Sequence, residues 1–141
     1  MKGIYLLLIT ILIPLGLSAQ STLYVTVNGI KAQEGTIMIA LHSTHETFPN
    51  DEPMITKMVA ADAINISFSI ENLSAGEYAI SLYHDVNDNE ELDTNIMGIP
   101  KEPFGFSNDV MGTFGAPSFK KSTIVIPDQG TKKISITLKS I

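Results

Sequence analysis

Between Asp85 and Asn95 the chain sets five carboxylates (Asp85, Asp88, Glu90, Glu91, Asp93) and three side-chain amides (Asn87, Asn89, Asn95) into eleven residues. The first nine positions, DVNDNEELD, spell D-x-N-x-N-x-x-x-D. A hard divalent cation takes roughly six to eight oxygen ligands, and alternate residues of a tightening turn can aim several at one centre. Carboxylates this close repel one another unless a cation or hydrogen bonds compensate. One expectation is therefore calcium held by Asp85, Asn87, Asn89 and Asp93. The other is an acidic turn whose Asp and Asn side chains cap their own backbone. An EF-hand is a poor match. Glu90 stands where that loop needs glycine, Ile96 stands where it needs a bidentate glutamate, and flanking helices are missing. Later donors would have to be Asp109 or main-chain carbonyls.

The rest of the chemistry-bearing inventory is thin. His42 and His84 stand at the ends of predicted strands, and His84 adjoins Asp85. A His/His/Asp zinc site follows only if those strand ends are neighbours. There is no cysteine and no G-x-S-x-G elbow, so nucleophilic catalysis has no candidate. A hydrolase using loop carboxylates remains as an alternative, but acids crowded on one loop are not a pair flanking a substrate. The expectation is a protein that is not an enzyme. Beyond the acids, GIPKEPFGFSN (Gly98–Asn108) joins stiffening prolines to Phe104 and Phe106. Those rings either tuck under the loop as a small core or form an exposed platform for a sugar or peptide. The second option makes the chain a carbohydrate- or peptide-binding accessory module.

Strands must position these groups. Residues 22–28 and 36–42 alternate apolar with polar or small residues and read as two strands paired back on each other. Residues 43–57 hold Pro49, Asn50, Asp51 and Pro53 and read as a loop, with a short strand beginning near Met58. Residues 63–70 and 77–84 alternate again and read as a hairpin joined through Gly76. From Asp85 to Ser118 no periodic run appears. A loop of that length in a compact domain is usually functional or disordered, and its phenylalanines (Phe104, Phe106, Phe114) argue against disorder. Residues 119–126 and 132–139 read as two closing strands. Six to seven strands without an amphipathic helix predict an all-β antiparallel sandwich with one long ordered loop; a small barrel is the alternative.

Composition narrows the partners. Lys2, an apolar run from Ile4 to Leu17, then Ser18 and Ala19 make residues 1–19 a signal peptide, cut before Gln20. The run is shorter than a spanning helix needs and holds Pro14, so no membrane span is expected after its removal. Residues 20–141 then form one domain, secreted or periplasmic, without disulfides. Of nine basic residues Lys2 is removed, leaving 8 lysines against 15 acids, a net charge of −7 with no arginine. That balance excludes nucleic acid and anionic membrane surfaces as partners. A glycan or an envelope protein remains.

The run G-E-Y-A-I-x-L-Y-H-D-x-N-x-N-x-x-L-D-T-N-x-x-G-I-P-K-E-P-F-G-F-S-N (Gly76–Asn108), followed by Pro117-Ser118-Phe119, resembles the bacterial exported family catalogued as domain of unknown function 2141. The resemblance implies an exported or envelope-associated β-sandwich with this loop at its centre, and it implies no reaction. In the family's pattern glycine commonly stands where this chain has Asp88 or Glu90. The GEYAISLYHD portion is also similar to the strand pair of transthyretin-like sandwiches, and the two-sheet class admits an immunoglobulin-like arrangement as well.

Overall fold

The computed structural model describes residues 20–141. The segment read as a signal peptide lies outside the described residues. Among the described residues eight strands are formed: β1 Ser21–Asn28, β2 Thr36–His42, β3 Ile55–Ala60, β4 Asn65–Leu73, β5 Gly76–Asp85, β6 Phe104–Phe106, β7 Ile124–Ile126 and β8 Gly130–Thr137. They build two sheets. The smaller has the order β4-β1-β8; the larger runs β3-β2-β5, with β6 and β7 both pairing along the remaining edge of β5. One ladder, β1 with β8, is parallel, and the others are antiparallel.

Period-two alternation does what it should. Val25 and Val27 of β1, Ile37, Ile39 and Leu41 of β2, Ile66, Phe68 and Ile70 of β4, Ile80 and Leu82 of β5, and Ile136 of β8 all point between the sheets and are buried. Burying side chains of this size contributes about 1.5–3 kcal/mol each, set against the entropy of ordering the chain. The sheets are tied at one edge, where the Phe104 N–H donates to the Lys139 carbonyl (2.9 Å) and the Lys139 N–H donates back (2.8 Å). Gly105 permits that approach, because a Cβ there would lie 2.7 Å from Ile136 Cγ2. The assembly is a sandwich and not a closed barrel, since among the described residues β3 and β4 end their sheets without a further partner.

Two pairing expectations and one strand expectation are corrected. Strands β1 and β2 do not pair: β1 lies between β4 and β8, and β2 between β3 and β5. Likewise β4 and β5 form no hairpin but sit in opposite sheets. The link after β1 crosses from sheet to sheet, pinned by buried Ile30, whose N–H donates to the Ile64 carbonyl. Alternation reports which face of a strand is buried and is silent about its neighbour. Finally, residues 119–126 are not one strand. Phe119–Ser122 form a helical turn, α1, capped by the Ser118 side chain, which accepts from the Lys121 N–H; only Ile124–Ile126 is strand. A serine ahead of Phe-Lys-Lys-Ser is an N-cap signal that outweighs weak alternation.

Candidate functional site

β5 delivers the chain to Asp85, and Gly35 (φ +71°) lies against it so closely that a Cβ would run into the Asp85 carbonyl oxygen. The Asp85 carboxylate is buried and faces inward along its own loop. It accepts the N–H groups of Asn89 (3.1 Å) and Glu90 (2.7 Å). Asn87 and Asn89 make Asx turns, their Oδ1 atoms accepting from the N–H of Asn89 (3.2 Å) and Glu91 (2.9 Å). Their amide nitrogens both donate to Asp93, at 2.9 and 3.3 Å. Asn87, Asn89 and Asp93 are thus brought together, while the Asp85 carboxylate is occupied by backbone donors. Among the described residues no three of His, Asp and Glu stand close enough to share an ion. Asp88 (φ +54°) and Glu90 (φ +63°) both take the left-handed conformation, which explains glycine at those positions in the resembling pattern.

The residue that closes this loop is one that spacing alone does not single out. Glu102 is buried, and its two oxygens accept the Val86 N–H and the Asp93 N–H, each at 3.1 Å. Beyond Asp93 the chain makes a small hairpin of its own. Thr94 bridges Pro100, the Lys101 N–H donates to the Asp93 carbonyl, and Asn95 Oδ1 accepts from Met97 and Ile99 around Gly98 (φ +76°). Asp109, considered above as a late oxygen donor, instead accepts the Thr137 N–H (2.6 Å) and ties the loop's far end to β8.

Phe104 and Phe106 are buried and pack edge to face, with centroids 5.9 Å apart. An exposed platform is therefore ruled out. Instead both rings help line a cavity of about 750 Å³ on the outer face of the larger sheet. Met38 and Ala40 of β2 and Ser81 and Tyr83 of β5 form its floor. Leu92–Pro100 make one wall and Met111–Ala116 the opposite one. Among the described residues none of the side chains lining it is charged, in a chain with 17 % charged residues. Burial first, and then the neighbouring carboxylates of Asp85, Glu102, Glu90 and Glu91, raise the Tyr83 hydroxyl above its usual range, so the phenol stays protonated.

The zinc expectation fails on register. Ile37 opposes His84 and Ala79 opposes His42, which puts the two histidines at opposite ends of the β2–β5 ladder. His84 Nε2 donates to the Glu34 carbonyl (2.7 Å). His42 is fully buried on the cavity side of β2. Its Nδ1 meets Thr47 Oγ1 at 3.2 Å, and its Nε2 has no partner among the described residues. Phe48 stacks edge-on against His42 and against Phe106 and Phe119, closing the floor beside Pro49 and Asn50.

Burial lowers the His42 pKa below 6.5. Below pH 6.5 the unfolded chain therefore takes up a proton that the folded chain refuses. Stability is full above that pH and falls as pH drops, by up to about 1.4 kcal/mol per pH unit until the folded pKa is passed. Urea unfolding of the parent at pH 7.0 and 5.5 should show this loss, and His42→Phe should lack it. Equal losses in both proteins would assign the effect to other groups.

Residues 25–135 match the family model described as an uncharacterized protein conserved in bacteria (DUF2141). Fold and loop together define the class, an all-strand two-sheet domain whose long acidic crossover walls a cavity on one outer face. The chain belongs to that bacterial family. No curated protein and no solved structure matches it. Among the described residues no helix is long and apolar enough to cross a membrane.

Proposed function

We propose that this is an exported, non-enzymatic binding protein that holds a small, uncharged, apolar molecule in the cavity over the larger sheet. The observation that supports it most is the lining: methionines, prolines, aliphatics and two phenylalanine rings, with a few hydroxyls and one amide, and no charged side chain. Ligand sites are commonly apolar concavities of roughly 300–1,000 Å³ with a few placed polar groups. The same lining supports a role without catalysis. Among the described residues its only titratable side chain is the Tyr83 phenol, held protonated and so a poor general base. The sugar- and peptide-platform readings lose support because Phe104 and Phe106 turn no open ring face to solvent. The test is titration with an uncharged solvatochromic dye such as Nile red, read on the methionine methyl resonances.

A second reading places calcium on the acidic loop. Asp93 with Asn87 and Asn89 supports it, because both amides converge on its carboxylate. Millimolar calcium should then raise the melting temperature of the parent by several degrees and that of Asp93→Asn by less than one. Equal melting curves with and without calcium in the parent would leave the loop as a hydrogen-bonded acidic turn.

A further inference from the structure

Both walls of the cavity end in tips that hold apolar side chains out in water. Ile96 and Met97 crown one and Phe114 the other, with relative exposures of 105, 78 and 98 %. Their immediate neighbours, Gly98, Thr113 and Gly115, line the cavity, so the tips stand on either side of it. Neither tip has slack with which to fold its apolar group away. Asn95 Oδ1 accepts two N–H groups of the first tip. In the second, Gly112 lies so close that a Cβ would overlap the Gly115 carbonyl. The stretches TNIMGIP (94–100) and VMGTFGAPSF (110–119) contain no charged residue, although the acidic run 85–93 adjoins the first.

We infer that these tips dip into a zwitterionic lipid surface, and that the cavity between them takes its apolar ligand from the bilayer. The inference rests on the cavity reading above and adds the source of the ligand. A lipid surface fits better than a protein partner. A specific protein interface needs roughly 800 Å² of continuous surface on each side, whereas here separate prongs flank an opening. Prongs suit a medium that closes around each of them, as the interfacial zone of a bilayer does. The net charge of −7 over residues 20–141, 8 lysines against 15 acids, turns away anionic headgroups, which leaves zwitterionic ones.

The experiment uses residues 20–141, which hold all eight strands and the whole core; the apolar leader would bind vesicles by itself. The chain has no tryptophan, so Phe114→Trp supplies the one indole, excited at the red edge of its band where the tyrosines do not absorb. On addition of phosphatidylcholine vesicles its emission should shift to the blue and be quenched by brominated acyl chains. Ile96→Asp with Phe114→Asp should weaken vesicle association by about tenfold or more while leaving Nile red binding in solution within about twofold of the parent. Ala40→Trp, which fills the cavity floor, should lose the dye and still bind vesicles. Emission unmoved by saturating vesicles would overturn the inference. So would a blue-shifted emission without lipid that grows with protein concentration, since the tips would then be covered by a second copy. If the parent binds vesicles but no dye, the cavity reading fails and the lipid contact stands.

Discussion

Ala40→Trp is expected to weaken binding of an uncharged apolar dye by at least tenfold, about 1.4 kcal/mol, while the fold survives. Ala40 sits on the outer face of β2, opposite Thr56 of β3 on one side and Ser81 of β5 on the other, in the middle of the cavity floor. The indole of tryptophan would occupy space that the small methyl leaves open. The face opposite, which carries Ile39 and Leu41 into the core, is untouched, so the melting temperature should move by only a few degrees. Val125→Trp, on an exposed position of β7 away from the cavity, is the control and should bind dye as the parent does. Isothermal or fluorescence titration of the three proteins checks the result. Unchanged affinity in Ala40→Trp would place any dye elsewhere on the surface.

Glu102→Ala is expected to have the largest effect on stability. Among the described residues the carboxylate is the sole side-chain acceptor for the N–H groups of Val86 and Asp93, which close the neck of the acidic loop. Removing it strands two partly buried donors, at about 1–3 kcal/mol each. A total of about 3 kcal/mol corresponds to a fall of about 10 °C in melting temperature for a domain of this size. Glu102→Gln keeps one acceptor oxygen and should fall between alanine and the parent. Because the neck anchors the wall from Leu92 to Pro100, dye affinity should drop in the same order. Thermal melts within a degree of the parent for Glu102→Ala would mean that the neck is held by other contacts.

These two residues mark where the sequence could and could not be read. Strand faces were legible because Val25, Ile39, Phe68 and Ile80 alternate with smaller or polar residues, and alternation reports burial directly. Pairing was not, because the link from Asn28 to Thr36 has the length and composition of a hairpin turn and instead crosses between sheets. β6 was invisible for another reason. Phe-Gly-Phe is buried at all three positions, so it has no polar face to reveal a period. The acidic loop announced itself through its carboxylates and amides, and its order was foreseen from its phenylalanines. The cavity was not, because its floor is made of the outward residues of strands chosen for their inward ones. Met38, Ala40, Ser81 and Tyr83 looked like the solvent side. Only the fold shows that the long crossover and the turn at residues 111–116 wall them in. Glu102 was hidden likewise: a lysine–glutamate pair between two prolines reads as surface until the neck it closes is seen.

The central claim is that an uncharged apolar molecule enters the space between the acidic crossover and the outer face of the larger sheet. Methionine methyl resonances report on it directly, because Met38 and Met111 line that space and Met97 lines it from the exposed tip of one wall, whereas Met54 and Met58 lie outside its lining. Titration of the carbon-13 methyl-labelled domain with Nile red should shift the first three along one saturable curve and leave the other two in place. Saturable shifts at Met54 and Met58 alone, or none at Met38, Met97 and Met111, would contradict it.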